Sequence, residues 1–185
     1  ILWINLVTDG LPALALAMEP PERDIMQRKP RPPREPVITW RRGMLILCHG
    51  ILIASSALFG FWYVYANDPT NTELARTVAF AIAAFSQLAY ALVCRSHRYT
   101  LPQLGLFTNP WLFVAFAVSG LLQVCVLTLP IVQGVFNVVS MPVSAWLFVF
   151  GLSLVPATII ELAKIAKSLL TGIAKIENKK AILRF

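Results

Sequence analysis

Five long apolar segments constrain this chain of 185 residues more than any other feature. Each approaches the roughly 20 residues that an α-helix needs to cross the hydrocarbon core of a bilayer. The segments cover residues 1–18, 43–66, 77–94, 110–130 and 142–164. With 57% hydrophobic and only 14% charged residues, the sequence is too apolar for a soluble domain. We therefore expect an all-α, membrane-embedded bundle of five transmembrane helices.

The basic residues predict how this bundle is oriented. Of the 16 lysines and arginines, all except Arg76 lie in loop 19–42, in loop 95–109, or between Lys164 and the C-terminus. Cytoplasmic loops of membrane proteins carry such an excess, so both loops and the tail, 165–185, are predicted to be cytoplasmic. The net charge of +7 follows from the same distribution. No basic face interleaved with aromatic residues is present, so a nucleic acid is not expected as a partner.

Loop 19–42 is rich in proline as well as in basic residues. Six prolines fall between Pro20 and Pro36. Proline fixes φ and favours an extended, semi-rigid backbone, so this loop is predicted to be a stiff strap. Two interpretations stay open, a loop that only obeys the charge rule and a coupling element that contacts a cytoplasmic domain.

Three polar residues interrupt the first apolar segment. Asn5, Thr8 and Asp9 are spaced i, i+3 and i+4, so an α-helix places all three on one face. A carboxylate in the middle of a membrane span costs roughly 2.5–3.5 kcal/mol on insertion scales, so it normally has a partner or a function. Amide, hydroxyl and carboxylate oxygens are hard ligands that suit calcium, magnesium or manganese. The trio is therefore either an ion site or a set of polar groups that satisfy one another or a neighbouring helix.

Gly10 and Pro12 follow the trio directly. Pro12 has no N–H, and its ring clashes with the carbonyl of Thr8, four residues earlier. We therefore predict that the first helix is unwound or kinked at Asp9-Gly10-Leu11-Pro12, which frees a backbone carbonyl as a further oxygen ligand.

One more amide lies inside an apolar segment. Gln87 is near the middle of the third segment, beside Ser86. Its side chain can hydrogen-bond across helices, or its carbonyl oxygen can bind an ion. The residues alone leave both roles open.

The first segment and the loop after it resemble a known family. The residues that carry the resemblance are Trp3-Ile4-Asn5-Leu6-Val7-Thr8-Asp9-Gly10-Leu11-Pro12-Ala13, Pro20-Pro21, Asp24-Ile25-Met26 and Arg28-Lys29-Pro30-Arg31. They are similar to the sixth transmembrane helix and the following loop of calcium-type (P2-type) P-type ATPases. The four later segments resemble helices seven to ten of that family, in topology and in short pieces such as Glu161-Leu162-Ala163-Lys164. The resemblance therefore implies the C-terminal membrane domain of a cation pump.

The same resemblance implies a set of metal ligands. Asn5, Thr8 and Asp9 occupy ion-ligand positions of helix six, and loop 19–42 corresponds to the loop that links these ligands to the phosphorylation domain. Gln87 falls where two-ion members of the family carry a glutamate. The lost negative charge implies a one-ion pump, or altered stoichiometry or selectivity.

The resemblance further implies ATP-driven transport of a divalent cation, with calcium expected and manganese as the alternative. ATP and magnesium would bind only through other domains, because neither an Asp-Lys-Thr-Gly phosphorylation motif nor a Gly-rich phosphate loop occurs in this sequence. The chain also begins without a methionine or a signal peptide, so we expect a piece of a longer enzyme that is inactive alone and has no catalytic residue. Its expected partners are the lipid bilayer, of the plasma membrane, and the remaining helices and domains of the same pump.

Two other classes of function stay open. The proline-interrupted first helix is also typical of a secondary transporter, in which a broken helix forms a site at the membrane midplane. A non-catalytic membrane scaffold is the other alternative, in which the polar trio has only a structural role.

Overall fold

The computed structural model describes residues 2–22, 24–27, 38–96 and 99–182, together with Pro30, Pro32, Arg34 and Pro36; for residues 171–182 it describes the backbone. The stiff strap predicted for loop 19–42 lies in part outside the described residues and stays a prediction.

Within the described residues the chain is helical from end to end. A π-helical segment, Ile4–Asp9, runs directly into the first α-helix. The α-helices are α1 (Gly10–Ala17), α2 (Trp40–Asn67), α3 (Thr72–Val93), α4 (Leu101–Leu104), α5 (Pro110–Thr128), α6 (Pro130–Phe136) and α7 (Val143–Ile182), with short 3-10 turns at Ile25–Gln27 and Leu106–Thr108. We refer to the π segment and α1 together, Ile4–Ala17, as the first helix.

Four of these helices are long and apolar enough to cross a bilayer. They are α2, α3, α5 and the Val143–Leu170 part of α7. The predicted class, an all-α helical membrane bundle, is confirmed. The first helix is apolar but shorter, so its assignment as a fifth span stays a prediction. The bounds of all five predicted spans within the bilayer likewise stay predictions.

The starts of three long helices follow from their capping residues. The side chain of Thr39 accepts a hydrogen bond from the N–H of Arg42 at the start of α2. Asn71 caps α3 in the same way, because its side chain accepts from the N–H of Leu74 at 3.2 Å. Asn109 caps α5 by accepting from the N–H of Leu112 at 3.1 Å. Short polar side chains at these positions satisfy N–H groups that have no partner within the helix.

Helix α3 lies at the centre of the bundle. It packs against α2, α5, α7 and the first helix. The largest buried cluster draws on three helices, through Val78, Ile82, Phe85 and Leu88 of α3, Val126 and Leu127 of α5, and Val149 of α7. Because α3 also carries Gln87, this core fixes the position of that amide.

Helices α2 and α3 approach closely at one glycine. A Cβ atom placed on Gly60 would lie 2.2 Å from Cδ1 of Ile82. That atom belongs to a fully buried side chain. The position therefore leaves no room for a side chain while Ile82 keeps its present conformation.

Helix α7 continues well beyond the predicted span, 142–164. Its 40 residues include Pro156 in the interior. At 1.5 Å per residue the helix is about 60 Å long, roughly twice the thickness of the hydrocarbon core. The basic tail therefore begins as a continuation of this helix.

The irregularity of the first helix lies one turn earlier than predicted. Asp9 and Gly10 have helical dihedrals, with φ of −100° and −64°, and α1 includes Pro12. The departure from α geometry is the π segment, which ends at Asp9. A wider turn moves carbonyls away from the ring of Pro12, which would clash with the carbonyl four residues earlier in a regular α-helix. The helix is thus continuous through Asp9-Gly10-Leu11-Pro12 rather than unwound there.

Candidate ion-binding site

The π segment separates the polar trio. Thr8 is buried, with 1% of its surface exposed, whereas Asn5 and Asp9 are exposed. The wider i→i+5 turn changes which residues lie above one another, so the residue three positions after Asn5 no longer shares its face. The single face predicted for all three residues assumed α geometry, which the structure does not have between Ile4 and Asp9.

Thr8 contacts the third helix of the bundle, α3, at the amide that the sequence singled out. Its hydroxyl lies 3.4 Å from Oε1 of Gln87, and it also hydrogen-bonds the carbonyl of Ile4. A threonine hydroxyl has one proton, and the shorter bond to Ile4 uses it. The hydroxyl thus lies within donor distance of two oxygens, and Oε1 of Gln87 is the longer contact.

An elongated groove of about 330 Å³ connects these residues with Asp9. The groove lies between the first helix, α2 and α3, and Thr8, Asp9 and Gln87 all line it. Asn5 does not. Farther along the groove, Nδ1 of His49 lies 2.9 Å from the hydroxyl of Tyr90. The structure thus brings three of the four predicted site residues together and leaves Asn5 on the exposed surface beside them.

Two hydrogen bonds fasten the π segment and the residue before it, Trp3, to α5. The hydroxyl of Ser119 donates to the carbonyl of Val7 at 2.6 Å. The indole N–H of Trp3 donates to Oε1 of Gln123 at 3.1 Å. The Ser119 bond thus joins α5 to a backbone carbonyl within the π segment.

Gln123 is fully buried, and its contact with Trp3 is the helix–helix role of an intramembrane amide. Since the indole can only donate, Oε1 must face it. In the described part of the chain, Nε2 of Gln123 and the hydroxyl of Ser86 are buried without a hydrogen-bond partner.

A second polar cluster lies just beyond the end of α1, and the sequence did not reveal it. The guanidinium of Arg95 donates to Oε1 of Glu19 at 2.7 and 2.9 Å, and 1% of the Arg95 side chain is exposed. Asn109 is equally buried and donates to Glu19 and to the carbonyl of Ala15. Asn109-Pro110 is a recognisable start of a helix, but nothing in the sequence pairs Arg95 with a residue 76 positions away.

Among the described residues, no group of three or more His, Cys, Asp or Glu side chains is close enough to hold a metal. The candidate site therefore consists of one carboxylate, Asp9, with neutral oxygens around it.

The apolar spanning helices and the first helix that packs on α3 and α5 define a helical membrane domain. The family model described as "Cation transporting ATPase, C-terminus" matches residues 1–166. The chain belongs to this family, and it is an integral membrane protein.

Several calcium pumps are similar to the chain over most of its length. The "Calcium-transporting ATPase" of Bacillus subtilis (strain 168) is 39% identical over 171 residues, which is 92% of this chain and 18% of that protein. "Calcium-transporting ATPase 1" of Bacillus cereus is 33% identical over 90% of this chain and 20% of its own length. The human "Calcium-transporting ATPase type 2C member 2" is 31% identical over 90% and 18%. The chain thus spans about a fifth of the length of the curated relatives it matches.

Proposed function

We propose that this chain is the membrane part of an ATP-driven divalent cation pump, and that calcium is the transported ion. The observation that carries the proposal is the exposed carboxylate of Asp9, in a largely apolar helix, at a groove that also contains the Thr8 and Gln87 oxygens. Leaving such a carboxylate uncovered in a membrane is costly, so it needs a partner. The relatives named as calcium-transporting ATPases support a cation as that partner.

The geometry of the groove suits a calcium ligand set. Calcium takes six to eight oxygen ligands at about 2.3–2.6 Å. Two oxygens 3.4 Å apart, as in Thr8 and Gln87, subtend an angle of about 90° at an ion about 2.4 Å from each, which is an ordinary angle between neighbouring ligands. Asp9 contributes negative charge at the same groove, and Asn5 adds an amide oxygen from the exposed face.

The remaining ligands would come from other helices of the same pump. Asp9 supplies one negative charge, which leaves a doubly charged ion half compensated. Asn5 and Asp9 are exposed in this chain, so they are free to meet side chains from the rest of the protein. Those helices, the lipid bilayer and the phosphorylation and nucleotide-binding domains are the partners that the proposal requires.

Gln87 bears on the number of ions transported. It is neutral, and it lies beside Thr8 rather than beside a basic residue. A second divalent ion at this position would lack the charge that a carboxylate provides, so we propose that the pump carries one calcium per cycle. Manganese prefers similar oxygen ligands and is the alternative ion.

The first helix offers a route for coupling to ATP. ATP and magnesium would bind outside this chain, and loop 19–42 would connect the end of the first helix with the phosphorylated domain. A displacement of this helix would change the distances from Asp9 and Thr8 to the ion and release it on the other side. In the proposed orientation, loops 19–42 and 95–109 and the tail, 165–185, face the cytoplasm. The proposed location of the pump is the plasma membrane.

The test is the Asp9→Asn variant of the full-length pump. We expect it to abolish calcium-dependent phosphorylation from ATP, because the substitution keeps the size of the side chain and removes its charge. Glu73→Gln is the matched control, since Glu73 is an exposed carboxylate in the first turn of α3. Normal calcium-dependent phosphoenzyme in Asp9→Asn would overturn the assignment, and a scaffold without transport would show no such phosphoenzyme in the unmodified protein.

A further inference from the structure

We propose that Glu19, Arg95 and Asn109 form an end clasp that sets the axial position of the first helix and thereby the affinity of the pump for its ion. These are positioning residues, and none of them touches the ion. The proposal rests on the proposed function, because it assumes that the first helix carries ion ligands.

The centre of the clasp is an ion pair between the buried side chain of Arg95 and the partly exposed Glu19. Arg95 makes two hydrogen bonds to one carboxylate oxygen of Glu19, at 2.7 and 2.9 Å. Its other donors reach the carbonyl of Gly105, at 3.1 Å, and the hydroxyl of Thr108. A guanidinium presents several donors in a fixed planar arrangement, so this set of acceptors holds Glu19 in one place relative to the loop between α3 and α5.

Asn109 joins the ends of two helices. Its Oδ1 accepts from the N–H of Leu112 at 3.1 Å and so caps α5. Its Nδ2 donates to the carbonyl of Ala15 at 3.0 Å and to Oε2 of Glu19 at 2.7 Å. The carbonyl of Ala15 belongs to the last turn of α1 and also accepts from the N–H of Met18 at 3.1 Å, so Asn109 adds a second donor at this end of the helix. One fully buried amide therefore ties the end of α1 to the beginning of α5.

The clasp is the third of three attachments between the first helix and α5. Trp3 bonds Gln123, Val7 bonds Ser119, and Ala15 bonds Asn109. The residue numbers of the three partners rise along the first helix and fall along α5, so the two helices run antiparallel. The hydrogen bonds are spread along their shared length. Asp9 lies between the second and third attachments.

This arrangement explains why the clasp matters for the ion. Ala15 is six residues from Asp9, or about 9 Å along the helix, and α1 is a regular α-helix between them. A displacement of the end of α1 along the helix axis therefore moves Asp9 by nearly the same distance. Calcium ligands must lie within a few tenths of an ångström of their proper distance, so a small axial shift lowers affinity.

The test compares two asparagines in the full-length pump. Asn109→Ser keeps an efficient cap for α5, since serine and asparagine are similarly good at this position, but it removes the donor to Ala15 and Glu19. Asn71→Ser is the matched control, because Asn71 is an exposed residue that caps α3 through Leu74, as Asn109 caps α5. The measurement is the calcium concentration for half-maximal phosphorylation, normalised to the amount of phosphorylatable pump.

We expect Asn109→Ser to raise this calcium concentration by about threefold to tenfold, the range that corresponds to the loss of one hydrogen bond. Asn71→Ser should leave it unchanged. Arg95→Lys, which keeps the charge but not the planar fork of donors, should shift it in the same direction as Asn109→Ser.

A purely structural role gives a different result. It would reduce the yield of pump in Asn109→Ser while the calcium dependence of the surviving molecules stayed normal, and that outcome overturns the clasp. Failure of the proposed function is seen separately, as normal calcium-dependent phosphoenzyme in Asp9→Asn.

Discussion

The contact between Gly60 and Ile82 gives a prediction whose size follows from the coordinates. A methyl group at Gly60 would lie 2.2 Å from Cδ1 of Ile82, but 3.5 and 3.6 Å from its next neighbours on Leu152 and Val78. One atom therefore accounts for the whole steric conflict. Gly60→Ala should separate α2 from α3, or force Ile82 out of its conformation, at a cost of about 1–3 kcal/mol. The usual gain of about 0.5–1 kcal/mol for alanine in a helix offsets part of this cost.

The Ile82→Val substitution removes the conflicting Cδ1 atom and nothing else. By itself it should cost about 0.5–1.5 kcal/mol, as is usual for the loss of one buried methyl group. In the double variant the new methyl group at Gly60 occupies the vacated space, so the double variant should be no less stable than Ile82→Val alone. The expected coupling energy is therefore about 1–2 kcal/mol in favour of the double variant.

The assay is thermal inactivation of the detergent-solubilised full-length pump, measured for both single variants, the double variant and the unmodified protein. Gly151→Ala is the matched control, because a Cβ atom there meets nothing within 4 Å; it should be neutral or slightly stabilising. If the effects of Gly60→Ala and Ile82→Val simply add, the two helices do not meet at these atoms and the packing argument is refuted.

Two further predictions concern the groove and the π segment. Ser119→Ala removes the side-chain hydrogen bond that joins α5 to the carbonyl of Val7, so the pump should lose about 1–2 kcal/mol of stability in the same thermal assay. Ser153→Ala, whose hydroxyl bonds within its own helix, should lose less, and equal losses would contradict a special role of Ser119. Gln87→Glu adds a negative charge beside Thr8 and should lower the half-saturating calcium concentration or raise the number of calcium ions bound per pump, as measured by equilibrium binding of radioactive calcium. Unchanged affinity and stoichiometry would show that Gln87 does not face the ion.

The sequence predicted the class of fold because the bilayer imposes a simple rule. Apolar segments of about 20 residues and basic residues confined to alternate loops leave a helical membrane bundle as the natural solution. The residue types at the candidate site were equally accessible, since Asp9 and Gln87 are unusual in apolar surroundings. The contact of Gln87 with Thr8 could not be predicted from the sequence, because it depends on how α3 packs against the first helix.

The π segment shows where sequence reasoning was limited. Pro12 correctly signalled a disturbance, but a missing N–H can be accommodated on either side of the proline. The sequence also does not show that Ser119, a residue of α5, donates a hydrogen bond to Val7 in this segment. Likewise, the excess of basic residues in cytoplasmic loops predicts that Arg95 lies in a solvated loop. Only the folded chain shows that its side chain is buried against Glu19.

The π segment also bears on how the lengths of related chains should be compared. A π turn contains about one residue more than an α turn that connects the same two ends. Deleting one residue between Ile4 and Asp9 would therefore let an ordinary α-helix join Trp3 to α1 without moving either end. Such a deletion would remodel the surroundings of Thr8 and leave the attachments of Trp3 and Ala15 to α5 intact. In an alignment of relatives, a one-residue gap at this place is thus a change in the ion site and not a sign of a different bundle.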